Sequence, residues 1–132
     1  MKTILFVCVE NSNRSQMAEA FARLHGAGRV AAASAGSRPS GRINPRAIAA
    51  MAEKGYDLTT HASKGLEGFN GTPVDVTVTM GCGDECPLVP AARRVDWQIP
   101  DPRAMDEVAF RGVRDLIEEK VRHLLAELAA PG

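Results

Sequence analysis

The chain carries no excess of charge of either sign: Lys and Arg number 16, Asp and Glu 16, and the formal net charge is zero. A protein built to hold nucleic acid or an anionic membrane carries a basic surplus, so neither partner is expected. No apolar run approaches the roughly 20 residues that span a bilayer. The opening stretch, Met1 to Cys8, is too short for the apolar region of a secretory signal. No small-residue cleavage site follows it, which predicts a cytoplasmic location. Cysteine is scarce and odd in number: Cys8, Cys82 and Cys86. That excludes a static disulfide framework and leaves thiol chemistry or metal binding as the question. What the chain does have is 45% hydrophobic residues, the globular norm, over 132 positions. One domain spanning 1–132 is expected, with a core that needs no staples.

The run Thr3-Ile4-Leu5-Phe6-Val7-Cys8-Val9 predicts a strand buried on both faces, as in a parallel sheet. The polar stretch Glu10 to Asn13 breaks it. From Arg14 to about His25 the pattern turns helical, with Met17, Ala18, Phe21 and Leu24 on one face and Gly26 and Gly28 as the stop. A second strand is expected over 29–35, ending at Gly36. Asn44 reads as a helix cap with Pro45 in the first turn, Ile43 and Ile48 as the apolar pair around it, and Gly55 just past the end. A third strand is expected over 74–80 and a short fourth over 94–97. Asp106 caps a long final helix, with Met105 and Phe110 around the cap. Its apolar stripe is Val113, Leu116, Ile117, Leu124, Leu125 and Leu128. This alternation predicts an α/β fold, a single three-layer domain with a four-stranded parallel sheet and helices on both faces. Ligands in such folds bind beyond the carboxyl ends of the strands, where Cys8 falls.

Cys8 and Arg14 stand between that first strand and that first helix. A short loop entering a helix turns successive backbone N–H groups inward and makes an anion-binding nest, here Val9, Glu10, Asn11, Ser12, Asn13 and Arg14. The helix N-terminus adds partial positive charge. Arg14 can hold an oxyanion by two parallel hydrogen bonds. The same field stabilises a Cys8 thiolate, the nucleophilic form. The Ser15 hydroxyl is placed to donate to it. The plain alternative is a small buried residue that merely ends a strand.

Phe6-Val7-Cys8, then Asn11, then Arg14-Ser15-Gln16-Met17-Ala18-Glu19 resembles the phosphate-binding loop of the low-molecular-weight protein tyrosine phosphatase fold. The continuation from Arg14 is similar to the arsenate reductase branch of that family. Ser34-Ala35-Gly36, Asn44-Pro45-Arg46-Ala47 and Asp101-Pro102 match in order, so the resemblance covers essentially the whole chain. It implies that Cys8 attacks arsenate and that Asp101 protonates the departing oxygen. Read locally, Asp101 is only a turn residue before a proline. The resemblance also implies phosphate and sulfate as inhibitors in the same nest, no tightly bound cofactor, and thioredoxin as electron donor.

Cys82 and Cys86 decide between branches. A phosphatase of this fold regenerates its nucleophile with water, whereas a thiol-coupled reductase needs a second thiolate to attack the first cysteine. The resemblance implies a relay from Cys8 to Cys82 to Cys86. Zinc ligation is a competing reading, but zinc wants four ligands and only the scattered His25, His61 and His123 are on offer. Inert packing is another. A phosphatase reading lacks the tyrosines that usually follow the family's Asp-Pro: Arg103-Ala104 stands there, and the only tyrosine is Tyr56. A non-catalytic oxyanion or thiol-sensing module is the alternative from a different class, and Asp101 speaks against it. Asn13 stands where the reductase branch often has a further cysteine. Some relatives bind potassium beside the loop through residues matching Asn11, Glu19, Ser34 and an aspartate. Lys64 occupies the aspartate's position, so its ammonium either replaces the ion or is a solvated surface charge. No metal is expected.

Overall fold

A computed structural model describes residues 2–67, 73–80 and 91–129. The elements run β1 (Lys2–Cys8), α1 (Arg14–Gly26), β2 (Val30–Gly36), α2 (Pro45–Ala52), a short 3-10 turn (Leu58–Thr60), β3 (Val74–Thr79), β4 (Ala91–Asp96) and α3 (Glu107–Ala129). The strands form one sheet in the order β2-β1-β3-β4, and every pair is parallel. That is the expected four-stranded parallel sheet. β1 is a central strand, which explains its uninterrupted apolar run: Ile4, Leu5, Phe6 and Val7 are all fully buried.

Alternate residues of β1 face different clusters. Ile4, Phe6 and Cys8 join Val76, Val78 and Met80 of β3 in the larger core, to which all three helices contribute. Leu5 and Val7 join Ala35 and Val74 in a smaller cluster against Leu66. The sequence led us to expect helices on both faces; among the described residues, the second face is packed by the stretch that carries Leu66.

The caps behave as read. The Asn44 side chain accepts from the Arg46 amide, with Pro45 at the start of α2. Asp106 Oδ1 accepts from the Ala109 amide at 2.8 Å. Gly55 takes a φ of +79°, a left-handed conformation costly for residues with a Cβ. Several readings differ in detail. β2 is shifted by one residue, and β4 starts at Ala91 rather than Arg94 and stops before Trp97. β4 is positioned by its ladder to β3, from Val74–Ala91 to Thr79–Asp96, and its half-exposed side chains carry no alternation. Leu24, expected on the inner face of α1, is 41% exposed. The 3-10 turn escaped the sequence reading, although Asp57 caps it by accepting from the Thr59 amide. No described helix is long and apolar enough to cross a membrane.

Candidate active site

The loop between β1 and α1 is fixed from outside by its carbonyls. The Val9 carbonyl accepts from the Arg38 amide, and the Glu10 carbonyl from the Ser40 amide and the Ser63 hydroxyl. The Asn11 carbonyl accepts from Gln16 Nε2, the Ser12 carbonyl from the Asn44 amide, and the Asn13 carbonyl from the Met17 amide. In a trans peptide the N–H points opposite to the C=O. Tying these carbonyls outward therefore turns the amides of residues 10–14 toward the inside of the loop, the condition for an anion nest. Asn11 sits at φ +51°, a left-handed conformation that asparagine tolerates better than most residues.

Cys8 ends β1 beneath this loop, free and 3% exposed. Its Sγ lies 2.9 Å from Ser15 Oγ, which accepts from Asn11 Nδ2 at 2.8 Å. With its acceptor side taken by Asn11, Ser15 has its one hydrogen to donate to sulfur. Asn11 is held in turn: its Oδ1 accepts from Gln16 Nε2 and from the Lys64 amide, both at 2.9 Å. Gln16 Oε1 accepts from His61 Nδ1, and Tyr56 donates to His61 Nε2 at 2.6 Å. Burial pushes the His61 pKa below its usual value, against the pull of Glu19, and raises that of Tyr56. This matches a neutral ring between a donor and an acceptor.

Above Cys8 lies a cavity of about 600 Å³, lined by Val9, Glu10, Ser12, Asn13, Arg14, Arg38, Ile99, Asp101 and Arg103 as well as Cys8. Arg14 Nη1 donates to the Met80 carbonyl at 2.7 Å and the Ile99 carbonyl at 3.1 Å, which orients the guanidinium beside the nest. Asp101 lies on the loop before α3, and its Oδ1 accepts from the Arg103 amide at 3.0 Å. Arg38 and Arg103 escaped the sequence reading as lining residues. The signal available was their place in loops beyond the carboxyl edge of the sheet. Among the described residues, the buried Asn13 Oδ1 finds no hydrogen-bond donor.

Glu19, Ser34 and Lys64 are brought together behind the loop, but not as a lysine-for-ion exchange would place them. Glu19 Oε1 accepts from Ser34 Oγ at 2.6 Å, and Oε2 from Arg23 Nε at 2.8 Å. Lys64 Nζ is 4.0 Å from Glu19, with its side chain 43% exposed. Arg23 is therefore the closer cation, in the i,i+4 relation to Glu19 that a helix reading can find. With Arg23 and Ser34 already on the buried carboxylate, melting temperature is expected to be the same in potassium and in tetramethylammonium at equal ionic strength. A potassium-specific rise in a thermal scan would place an ion between Asn11 and Glu19. Among the described residues no group of three or more His, Cys, Asp and Glu could hold a metal. Cys82 and Cys86 lie outside the described residues.

Gly36 ties the nest to the sheet. A Cβ there would sit 2.5 Å from the Val9 carbonyl oxygen and 2.9 Å from the Asn11 nitrogen, both loop backbone. Gly36→Ala must push the loop outward. If the usual overpacking cost of about 1–3 kcal/mol falls on the bound loop, phosphate affinity drops about 5- to 150-fold. Unchanged affinity by calorimetry would show that the loop yields freely.

Comparison with known proteins shows the family and the fold. The sequence profile of the family described as low molecular weight phosphotyrosine protein phosphatase matches residues 3–131. A curated relative from Synechocystis, named glutaredoxin arsenate reductase, is 41% identical over 132 residues, covering 98% of this chain and all of its own. A solved structure described as an arsenate reductase in the phosphate binding state superposes with a TM-score of 0.88 at 40% identity, covering 98% of this chain and 100% of the other. A Corynebacterium glutamicum thioredoxin-dependent arsenate reductase gives 0.81 at 29% identity, covering 97% of this chain and 62% of that one.

Proposed function

The chain belongs to the low molecular weight phosphotyrosine protein phosphatase family, and within it we propose that this protein reduces arsenate to arsenite. The observation that carries the reading is Cys8 beneath a loop whose carbonyls are all tied outward, with Arg14 and Asp101 on the same cavity. That arrangement receives a tetrahedral oxyanion against a sulfur nucleophile. The two further cysteines after β3 and the names of full-length relatives at about this identity favour reduction over hydrolysis.

The loop amides and Arg14 hold the arsenate oxygens. The Cys8 thiolate attacks arsenic, an S–As bond forms and an As–O bond breaks, and Asp101 supplies the proton with which the leaving hydroxyl departs as water. The Cys82 thiolate then attacks Cys8 Sγ. An S–S bond forms, the S–As bond breaks, and its electron pair stays on arsenic, which leaves as arsenite. The Cys86 thiolate attacks Cys82 and frees Cys8. Arsenate and two thiols thus become arsenite, a disulfide and water. Phosphate and sulfate occupy the same nest as inhibitors. The Ser15 hydroxyl, polarised by Asn11, stabilises Cys8 as thiolate and as leaving group.

Thioredoxin reduces the Cys82–Cys86 disulfide in this reading, and the reaction takes place in the cytoplasm. Glutaredoxin is the second reading, favoured by the name of the Synechocystis relative. The test is arsenate-dependent NADPH oxidation coupled through thioredoxin and its reductase, run beside a glutaredoxin–glutathione arm and an aryl phosphate assay. Turnover with thioredoxin is the expected result. Turnover only in the glutaredoxin arm would reassign the donor, and phosphate release without arsenate reduction would return the protein to the hydrolases.

A further inference from the structure

Asp101 lies on an irregular segment between β4 and α3, is exposed, and gains nothing from sheet or helix ladders. A proton donor must nevertheless be held within hydrogen-bond reach of the leaving oxygen, and a misplacement of about 1 Å costs on the order of 100-fold in rate. Something must hold this segment at a fixed distance from the nest. Arg46 is in the first turn of α2, far from the chemistry in sequence. Its Nη1 donates to the Arg103 carbonyl at 3.2 Å, and its Nη2 to the Met105 carbonyl. The guanidinium carbon lies 4.9 Å from the centre of the Phe110 ring, at the start of α3. Arg103 is the residue whose amide holds Asp101 Oδ1 at 3.0 Å. Two residues before Arg46, the Asn44 amide donates to the Ser12 carbonyl of the nest at 3.1 Å.

We propose that Arg46 is the positioning residue for the proton donor. The N-terminus of α2 then acts as a spacer, gripping the anion loop through Asn44 and the Asp101 segment through Arg46. The inference rests on the reading of Asp101 as general acid. It accounts for the residue type. A planar fork satisfies two carbonyls at once while lying over an aromatic ring, and a lysine ammonium has no such fork. From the anion loop the segment is also held by Arg14 on the Ile99 carbonyl at 3.1 Å, two residues before Asp101, and by the exposed Arg103–Glu10 pair at 3.4 Å, a weak tether.

The experiment is single-turnover arsenite release by the pre-reduced enzyme, measured across pH, with phosphate affinity read by calorimetry. Asp101→Asn is expected to slow release about 10²- to 10⁴-fold and to remove one limb of the pH profile. Arg46→Met is expected to slow it about 10- to 100-fold and flatten the same limb, with phosphate affinity unchanged because the nest is intact. Arg46→Lys, which keeps one donor, falls between. In the Asp101→Asn background Arg46→Met costs nothing further. An Arg46→Met enzyme with the wild-type rate and pH profile overturns the inference while leaving Asp101 in its role. So does an equal loss in both backgrounds, which marks a brace that does not act through Asp101. Full-rate Asp101→Asn overturns the general acid itself, and Arg46 with it. Should Arg46→Met fail to fold, Arg46→Lys carries the same comparison in both backgrounds.

Discussion

Cys8→Ser is expected to release no arsenite and still to bind phosphate within about fivefold of the wild-type affinity, the worth of a single hydrogen bond. The two effects separate because different atoms carry them. The nest is oriented by the outward bonds from Arg38, Ser40, Ser63, Gln16, Asn44 and Met17, none of which involves Cys8. A serine hydroxyl is neither ionised near neutral pH nor able to form the disulfide that lets arsenic keep its electron pair. Arg14→Ala should behave differently and lose both functions. It removes a charge-assisted contact worth about 1.5–3 kcal/mol, or about 10- to 150-fold in phosphate affinity. It also removes the hold on the Met80 and Ile99 carbonyls that brings β3 and the Asp101 segment against the loop. Calorimetry with phosphate and arsenite release in a single turnover check both variants. Arsenate turnover by Cys8→Ser would sink the nucleophile assignment.

The parts of this site that the sequence discloses are the parts whose chemistry is local. Cys8, Arg14 and Ser15 are positioned by one strand and one helix start, and hydrophobic periodicity finds both. Asn44 and Asp106 are legible for the same reason: a cap bonds to an amide two or three residues on. What the sequence withholds is long-range. The donors that orient the loop come from Arg38, Ser40, Asn44 and Ser63, and no local pattern says that these amides and this hydroxyl face the carbonyls of 9–12. The line from Tyr56 through His61 and Gln16 to Asn11 depends on a histidine 45 residues from its glutamine partner. Arg114 of α3 is only 6% exposed and donates to the Ala50 carbonyl and Glu53, partners more than 60 residues away that no local pattern discloses. Leu24 errs the other way, since period alone does not say how far around α1 its neighbours extend.

Cys86→Ser is expected to release one equivalent of arsenite per enzyme and then stop, with Cys8 joined to Cys82. The expectation rests on reach. A disulfide needs Cα atoms within about 7 Å. The Met80 amide donates to the Val7 carbonyl at 3.1 Å, so the chain leaves β3 beside the residue that precedes Cys8. Two residues of chain carry Cys82 at most about 7 Å beyond Met80, whereas six carry Cys86 up to about 20 Å. In the proposed relay, chain length suits Cys82 to attack the nucleophile and Cys86 to draw the disulfide outward to a protein reductant. Cys8 is almost wholly buried, so in the proposed relay an internal carrier spares a bulky reductant from having to reach it. Cys82→Ser should consequently stall one step earlier, with arsenic still on Cys8 and no arsenite released, unless Cys86 reaches inward in its place. Peptide mapping of the non-reduced protein after one addition of arsenate distinguishes the trapped pairs. Sustained turnover of Cys86→Ser with thioredoxin would remove Cys86 from the relay and assign the final reduction to an external thiol acting on Cys82.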